Sequence, residues 1–404
     1  MNIVPFLTEY KMNFIGARYY KINKLLLCIL GLWPYQITKR IQIQPILFYS
    51  IYISFLFAEL CSFFILKCDL IVVLKILSHL FPTILELMEY NSFYTNAKNI
   101  KLLLDKIQND WNALDDKKEI EIIEKYTYRM HIFTSIVTLL SCITIIIFYF
   151  IELWPIILDN VLPLNKSRPR NTFVLTEYFV DREKYFIPIM LHEMMLVTTG
   201  LFTIIATGTT LMAYTQHSCG MLKIVSFRIA HLLDKNISQR SSLQIDRIIC
   251  NKIAHAVDLH RKIANFLDTL VSTFVVQFTI LTFIGVVSMS INLYRFLLPS
   301  TLQSETELLA SITLIVVHYF YMFMANYVGQ LIIDHSEDVF RTTCNVLWYV
   351  VPKSSQKMLL FLMHRTMKNL KICGGFNAIT ASYEAFATLS TTSLSYFTVL
   401  YSLQ

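Results

Sequence analysis

Ile132-Phe-Thr-Ser-Ile-Val-Thr-Leu-Leu-Ser-Cys-Ile-Thr-Ile-Ile-Ile-Phe-Tyr-Phe-Ile151 holds no Asp, Glu, Lys or Arg in twenty residues. At 1.5 Å per residue such a helix is as long as a bilayer's hydrocarbon core is thick, about 30 Å. Met194–Gln216, Leu270–Tyr294, Leu308–Ile333 and the closing run Ala385–Gln404 are free of charge in the same way. Pro45–Leu66 carries one carboxylate, Glu59, and Leu70–Tyr90 carries Lys75, Glu86 and Glu89. The reading is an all-α polytopic membrane protein with seven transmembrane helices. Composition agrees, since 55% of the 404 residues are hydrophobic and 16% are charged, against about 25% in a soluble domain. Mean hydropathy is +0.52, too high for one anchor on a soluble body.

The charges between the runs orient the chain. Of 35 Lys+Arg, 27 fall in the N-terminal region and in loops 2–3, 4–5 and 6–7, and 7 in the alternate loops. Inner loops of membrane proteins are enriched in Lys and Arg, so a cytosolic N-terminus and an extracellular C-terminus are expected. That is the reverse of a G-protein-coupled receptor. The sequon at Asn165 then lies outside, as glycosylation requires, and the one at Asn236 lies inside. The net charge of +7 comes without any basic block, which leaves nucleic-acid binding without a footprint.

Four units follow: a cytosolic segment 1–44, helices one to six with cytosolic extensions over 45–333, a cytosolic segment 334–375, and the last helix over 376–404. Leu25–Trp33 is too short to span and is followed by bulky Trp33-Pro34 rather than a cleavage site, so it reads as an interfacial or buried segment. In the inner loops, Leu102, Leu103, Leu104, Ile107, Trp111 and Leu114 alternate with charge, as do Ile248, Ala256, Val257, Ile263, Phe266 and Leu267. These stripes fit helices that continue below the bilayer and pack together, or solvated amphipathic linkers.

Enzymatic signatures are missing. No Walker loop, GxGxxG or GxSxG occurs. Gly374-Gly375 reads as a hinge or cap, and His255 and His260 are five apart, off a common helical face. No cofactor, metal site or enzymatic activity is expected, and the eight cysteines, without CxxC pairs, read as free thiols. His192-Glu193 is either a polar point in a ligand cavity or a satisfied pair packed against its neighbours.

The last run is rich in hydroxyls at Thr388, Ser390, Thr391, Thr392, Ser393 and Ser395. Facing water, such hydroxyls would hydrate passing ions; otherwise they bond their own backbone. Val399 and Leu403 share one face and, repeated about an axis, would form a ring that closes by dewetting. Residue chemistry alone leaves both readings open.

Gly31-Leu32-Trp33-Pro34, Asp110-Trp111, His260, Ser336, Trp348-Tyr349, Pro352, Lys357, Arg365 and the closing Ser395-Tyr396-Phe397-Thr398-Val399-Leu400 fall in an order that resembles the insect odorant receptor family. The resemblance implies the odorant-binding subunit of a ligand-gated non-selective cation channel. It would form a heterotetramer with the odorant receptor co-receptor in the plasma membrane of olfactory sensory neurons. The compact loop 4–5 differs from the longer one of the co-receptor itself. The likeness places Ser395, Val399, Ser402 and Leu403 at the pore and gate, and Trp348, Tyr349, Lys357 and Arg365 at the subunit anchor. It puts a pocket for a small volatile apolar ligand in the outer half, between spans two to six. Residues of suitable chemistry there are Ser78, His79, Phe81, Phe148, Tyr149, Glu152, Phe186, Met190, His192, Met194, His318, Tyr319 and Tyr321. A gustatory-type receptor channel is the nearest alternative, but the Gln-Phe that closes that family is missing. A secondary transporter is more remote, for lack of internal repeats.

Overall fold

A computed structural model describes residues 15–35, 39–65, 69–162, 172–233, 242–297, 305–374 and 379–402. These are nearly all helical: α1 (Lys21–Ile29), α2 (Lys39–Ile65), α3 (Leu70–Thr95), α4 (Ala97–Asn112), α5 (Lys117–Val161), α6 (Phe186–Ala230), α7 (Ser242–Leu297), α8 (Glu305–Asn345), α9 (Lys353–Thr366) and α10 (Tyr383–Ser402). A two-stranded antiparallel ribbon, β1 (Cys373–Gly374) with β2 (Ile379–Thr380), precedes α10. Among the described residues six helices, α2, α3 and α5 to α8, are long and apolar enough to cross a membrane. The helix α10 has the length, 20 residues, but its hydroxyls keep it outside that set.

The charge-free runs are only parts of their helices. The 56 residues of α7 extend about 84 Å, nearly three times the apolar thickness of a bilayer. The charged ends of α5, α6, α7 and α8 project to the same side and form a second packed layer with α1, α4 and α9. Its core contains Leu27, Leu103, Leu104, Ile107, Trp111, Ile263, Phe266, Leu267 and Leu359, all buried. The inner-loop stripes are thus packed helices and not solvated linkers, although Leu102 and Val257 face outward. The Leu25–Trp33 segment is tucked into this core through Leu26, Leu27, Leu30, Leu32 and Trp33. The boundary at 333/334 falls inside continuous α8, and Gly374 sits in a strand rather than a helix cap; Gly375 lies outside the described residues.

Polar pairs tie this layer together. Arg228 at the end of α6 donates from Nε and Nη2 to both oxygens of Glu119 on α5, at 2.6 and 2.7 Å. Lys223 and Ser226 both reach Asp338 of α8, and His217 lies 3.0 Å from Asp110 of α4. The bidentate pair is mostly buried, so losing one partner strands a charge. Arg228→Ala is expected to cost about 2 kcal/mol and Arg228→Lys less, read as the melting midpoint of the detergent-solubilised protein. An unchanged midpoint for Arg228→Ala would show that the pair contributes nothing.

The most enclosed helix is α6, which α1, α2, α3, α5, α7 and α8 all approach. Small residues allow it: Thr199, Gly200, Thr203, Ala206, Thr207, Thr209, Thr210 and Ala213 let neighbouring backbones come close. The threonines spend their hydroxyl protons on carbonyls one turn back, as Thr203 does at 2.8 Å and Thr209 at 2.6 Å. On α3, Pro82 has no N–H for the carbonyl of Ser78, and Asn292 of α7 approaches that carbonyl at 3.5 Å.

Candidate functional site

A cavity of about 240 Å³ lies between α3, α5, α6, α7, α8 and the ribbon ahead of α10. Its walls are largely apolar: Leu85, Phe133, Val137, Ile204, Met212, Phe278, Leu281, Met289, Val317, Met322 and Met324 among others. Leu389 of α10 and Ile372, Gly374, Ile379 and Ala381 of the ribbon region complete it. Two lining glycines, Gly208 on α6 and Gly285 on α7, have open space where a Cβ would project, with no atom within 4 Å of that point. At Gly200 and Gly220 of α6 the side chains of Glu86 and Ile123 already occupy that point, whereas at Gly208 and Gly285 the missing side chain makes part of the room.

Of the sequence-derived ligand residues, His318 and Tyr321 line this cavity. Nδ1 of His318 is 2.8 Å from the Leu314 carbonyl and Nε2 is 2.9 Å from Ser288 Oγ, while the Tyr321 hydroxyl donates to Glu89. The others gather elsewhere. Phe186, Met190 and Met194 of α6 form a compact cluster with Tyr149 packed against it, and Tyr149 donates to the Met194 carbonyl at 3.0 Å. Phe148 stacks near Phe173 with ring centres 4.9 Å apart, and Glu152 is buried nearby. These residues fill one another's space. His192 lies 3.0 Å from Ser54 and 2.8 Å from Tyr178, with its ring against Phe55, whereas Glu193 turns away to accept from the Val174 N–H at 2.9 Å.

Ser78 is buried, donating to the Lys75 carbonyl and accepting from Arg295. His79 is half-buried on the same helix. Phe81 packs against a cluster of Leu74, Ile291 and Tyr294 that Phe397 and Leu400 of α10 also touch. Tyr319 faces Phe386 of α10, ring centres 6.4 Å apart. The cavity lies in the middle of the apolar band and toward the packed charged layer, away from the half in which most of these residues cluster. Sequence reasoning missed Met212, Phe278, Met289 and the two glycines; an isolated glycine inside a long apolar helix was the available signal.

On α10, Ser393 is buried and its carbonyl accepts from Ser290 of α7 at 3.1 Å. Glu384, Thr388, Thr391, Ser395, Val399 and Ser402 recur at three- and four-residue steps and are all exposed. One stripe of the helix, mostly hydroxyl-bearing, therefore faces away from the rest of the chain, with Val399 54% exposed. Trp348, Tyr349, Lys357 and Arg365 are exposed beside Leu347, Val350, Leu360 and Phe361. Asn165 and Leu403 lie outside the described residues.

No group of three metal-ligating side chains occurs among the described residues, and the seven described cysteines are unbridged. Burial pushes the Cys28 thiol up to about 11, against the pull of Lys24, so little nucleophilic thiolate is present near neutral pH.

Residues 69–394 match the family model described as 7tm Odorant receptor. The chain belongs to the odorant receptor family. That family consists of receptors and channels rather than enzymes. The fold agrees: the insect olfactory receptor OR5 from Machilis hrabei in complex with eugenol superposes with a TM-score of 0.80, covering 96% of this chain and 98% of that one at 14% identity. A second structure of the insect olfactory receptor OR5 from Machilis hrabei gives 0.77 at the same identity and coverage. No curated protein sequence matches the chain. With its membrane-spanning helices, this odorant receptor is a multi-pass membrane protein.

Proposed function

We propose that this odorant receptor is the odorant-tuned subunit of a ligand-gated, non-selective cation channel, assembled with a co-receptor in a heterotetramer. The observation that carries the reading is the exposed stripe on α10. A face bearing Glu384, Thr388, Thr391 and Ser395 is costly against lipid, and nothing among the described residues covers it. Arranged about a shared axis, four such faces enclose water. Each hydroxyl already donates to its own helix, Thr388 to the Glu384 carbonyl at 2.9 Å and Ser395 to the Thr391 carbonyl at 2.9 Å. The lone pairs left over face outward, and a lining of lone pairs favours cations.

In this arrangement α10 is the seventh span, the N-terminus is cytosolic and the C-terminus extracellular. Val399, with Leu403, closes the path by dewetting near the outer end, Ser395 and Ser402 flank it, and Asn165 is available for glycosylation outside. Trp348, Tyr349, Lys357 and Arg365, on exposed apolar and basic ground, join the subunits. The setting is the plasma membrane of olfactory sensory neurons.

The odorant, a small volatile molecule as eugenol is for the Machilis hrabei receptor, enters the cavity and gains chiefly from apolar burial, about 25 cal/mol per Å². Leu389 and Ala381 give it direct contact with the root of α10. Binding opens the pore only by favouring the open packing of α7 and α8 against that helix. The other ligand residues read from the sequence, from Ser78 to Tyr319, do not line this cavity; in this reading they pack the helices of the bundle against one another rather than touch the odorant.

Val399→Asn, expressed with the co-receptor, is expected to raise basal current severalfold and to alter ion selectivity. Unchanged basal current and selectivity would remove α10 from the pore. Odorant-evoked current that survives depletion of cytosolic nucleotides separates the channel from G-protein signalling.

A further inference from the structure

The hydrogen-bonding balance of the cavity is lopsided. Six polar side chains line it: Thr209, Thr215, Thr282, His318, Tyr321 and Asn326. Each threonine gives its proton to the carbonyl four residues back, at 2.6, 3.0 and 2.7 Å in that order. Tyr321 gives its proton to Glu89. Because the Leu314 carbonyl can only accept, the proton of His318 sits on Nδ1, and Nε2 takes the proton of Ser288. Asn326 spends one amide hydrogen on the Met322 carbonyl at 2.9 Å, and its oxygen accepts from the Ser382 N–H at 3.3 Å. Its second amide hydrogen is the one side-chain donor left among the described lining residues. Acceptors, by contrast, remain: every hydroxyl oxygen keeps a lone pair, and the methionine sulfurs add weak ones.

We infer that the cavity discriminates by hydrogen-bond polarity, accepting hydrocarbons and hydroxyl-bearing odorants while rejecting those whose polar group is a carbonyl or carboxylate. This rests on the cavity being the odorant site of the proposed channel. A hydrocarbon leaves nothing behind in water. An alcohol exchanges its bond to water for one to a threonine or tyrosine oxygen. A ketone, aldehyde or acid gives up hydration and finds every side-chain donor spent but the second amide hydrogen of Asn326 at one edge of the wall. A carbonyl lodged anywhere else is a buried acceptor without a partner, which is costly.

The test uses two series matched in carbon skeleton: limonene, carveol and carvone, and octane, 1-octanol and octanal. Affinity is read as ligand-induced thermal stabilisation of the purified full chain. The carbonyl member of each series is expected to bind about tenfold more weakly than its hydrocarbon, with the alcohol at or near the hydrocarbon. Met212→Gln, a near-isosteric change that places an amide donor in the wall, is expected to close the gap for carvone and octanal. A carbonyl member binding as tightly as its hydrocarbon in either series overturns the inference, as does the absence of binding by all six compounds. The expected order with no evoked current from cells co-expressing the co-receptor would instead strike the channel reading and leave this one standing.

Discussion

Gly329→Val is expected to abolish odorant-evoked current, by tenfold or more, in cells that carry the co-receptor. Gly329 on α8 is where that helix touches the chain entering α10: a Cβ there would land on the backbone carbonyl and side chain of Ala381. Backbone cannot swing away as a side-chain tip can. Around this contact Asn326 Oδ1 accepts from the Ser382 N–H and Gln330 Oε1 from the Tyr383 N–H, both at 3.3 Å. These are the leading donors of α10, which its own helix leaves unpaired. Ala381 itself donates to the Ile372 carbonyl at 2.9 Å. One turn of α8 thus holds α10 by its root. A branched side chain at 329 pries the two apart and costs on the order of 1–3 kcal/mol in overpacking alone. Because the grip is local, the variant should reach the membrane and fail in gating. Surface labelling together with whole-cell current separates the two, and a wild-type current at wild-type surface level would show that this junction does not transmit.

The membrane character of the fold was legible because it depends on one-dimensional properties. Runs without charge give the length of the spans, and stripes such as Leu103, Ile107 and Trp111 give the helices beyond them, since both follow from which residues water rejects. The hydroxyl content of α10 was legible for the same reason, but which of those hydroxyls share the exposed face was not: Thr388, Thr391 and Ser395 are exposed while Ser393 of the same run is buried. The cavity was not. Choosing Phe186, Met190 and Met194 for their chemistry assumed that large adaptable side chains line space, and the fold uses them to fill it against Tyr149. Space arises where two helices bring missing side chains to one place, as at Gly208 and Gly285. That is a property of pairs of faces, which a single sequence does not order. The helix α10 illustrates the converse limit. The hydroxyls that would suit it to the proposed wet axis remove it from a count based on hydropathy.

Those two glycines carry the second large effect. Gly208→Leu and Gly285→Leu each place an isobutyl group into the cavity, where a Cβ meets no atom within 4 Å. Neither should harm folding, and each replaces the poorest ordinary helix former inside a helix, worth up to about 1 kcal/mol in favour of the variant. Surface levels are therefore expected to hold or rise. Response is expected to change sharply and with ligand size. A cavity of about 240 Å³ has little to spare for a four-carbon group, so ligands that fill it should lose tenfold or more in potency, and smaller members of the same chemical series should lose much less. The size dependence matters because a variant that merely stiffened α6 or α7 would depress all ligands alike. Concentration–response curves for a homologous series of alkanes or terminal alcohols, in wild type and both variants, read it directly. Equal losses along the series would mean that the glycines serve helix motion rather than ligand space. No loss at all would place the odorant somewhere other than between α6, α7 and α8.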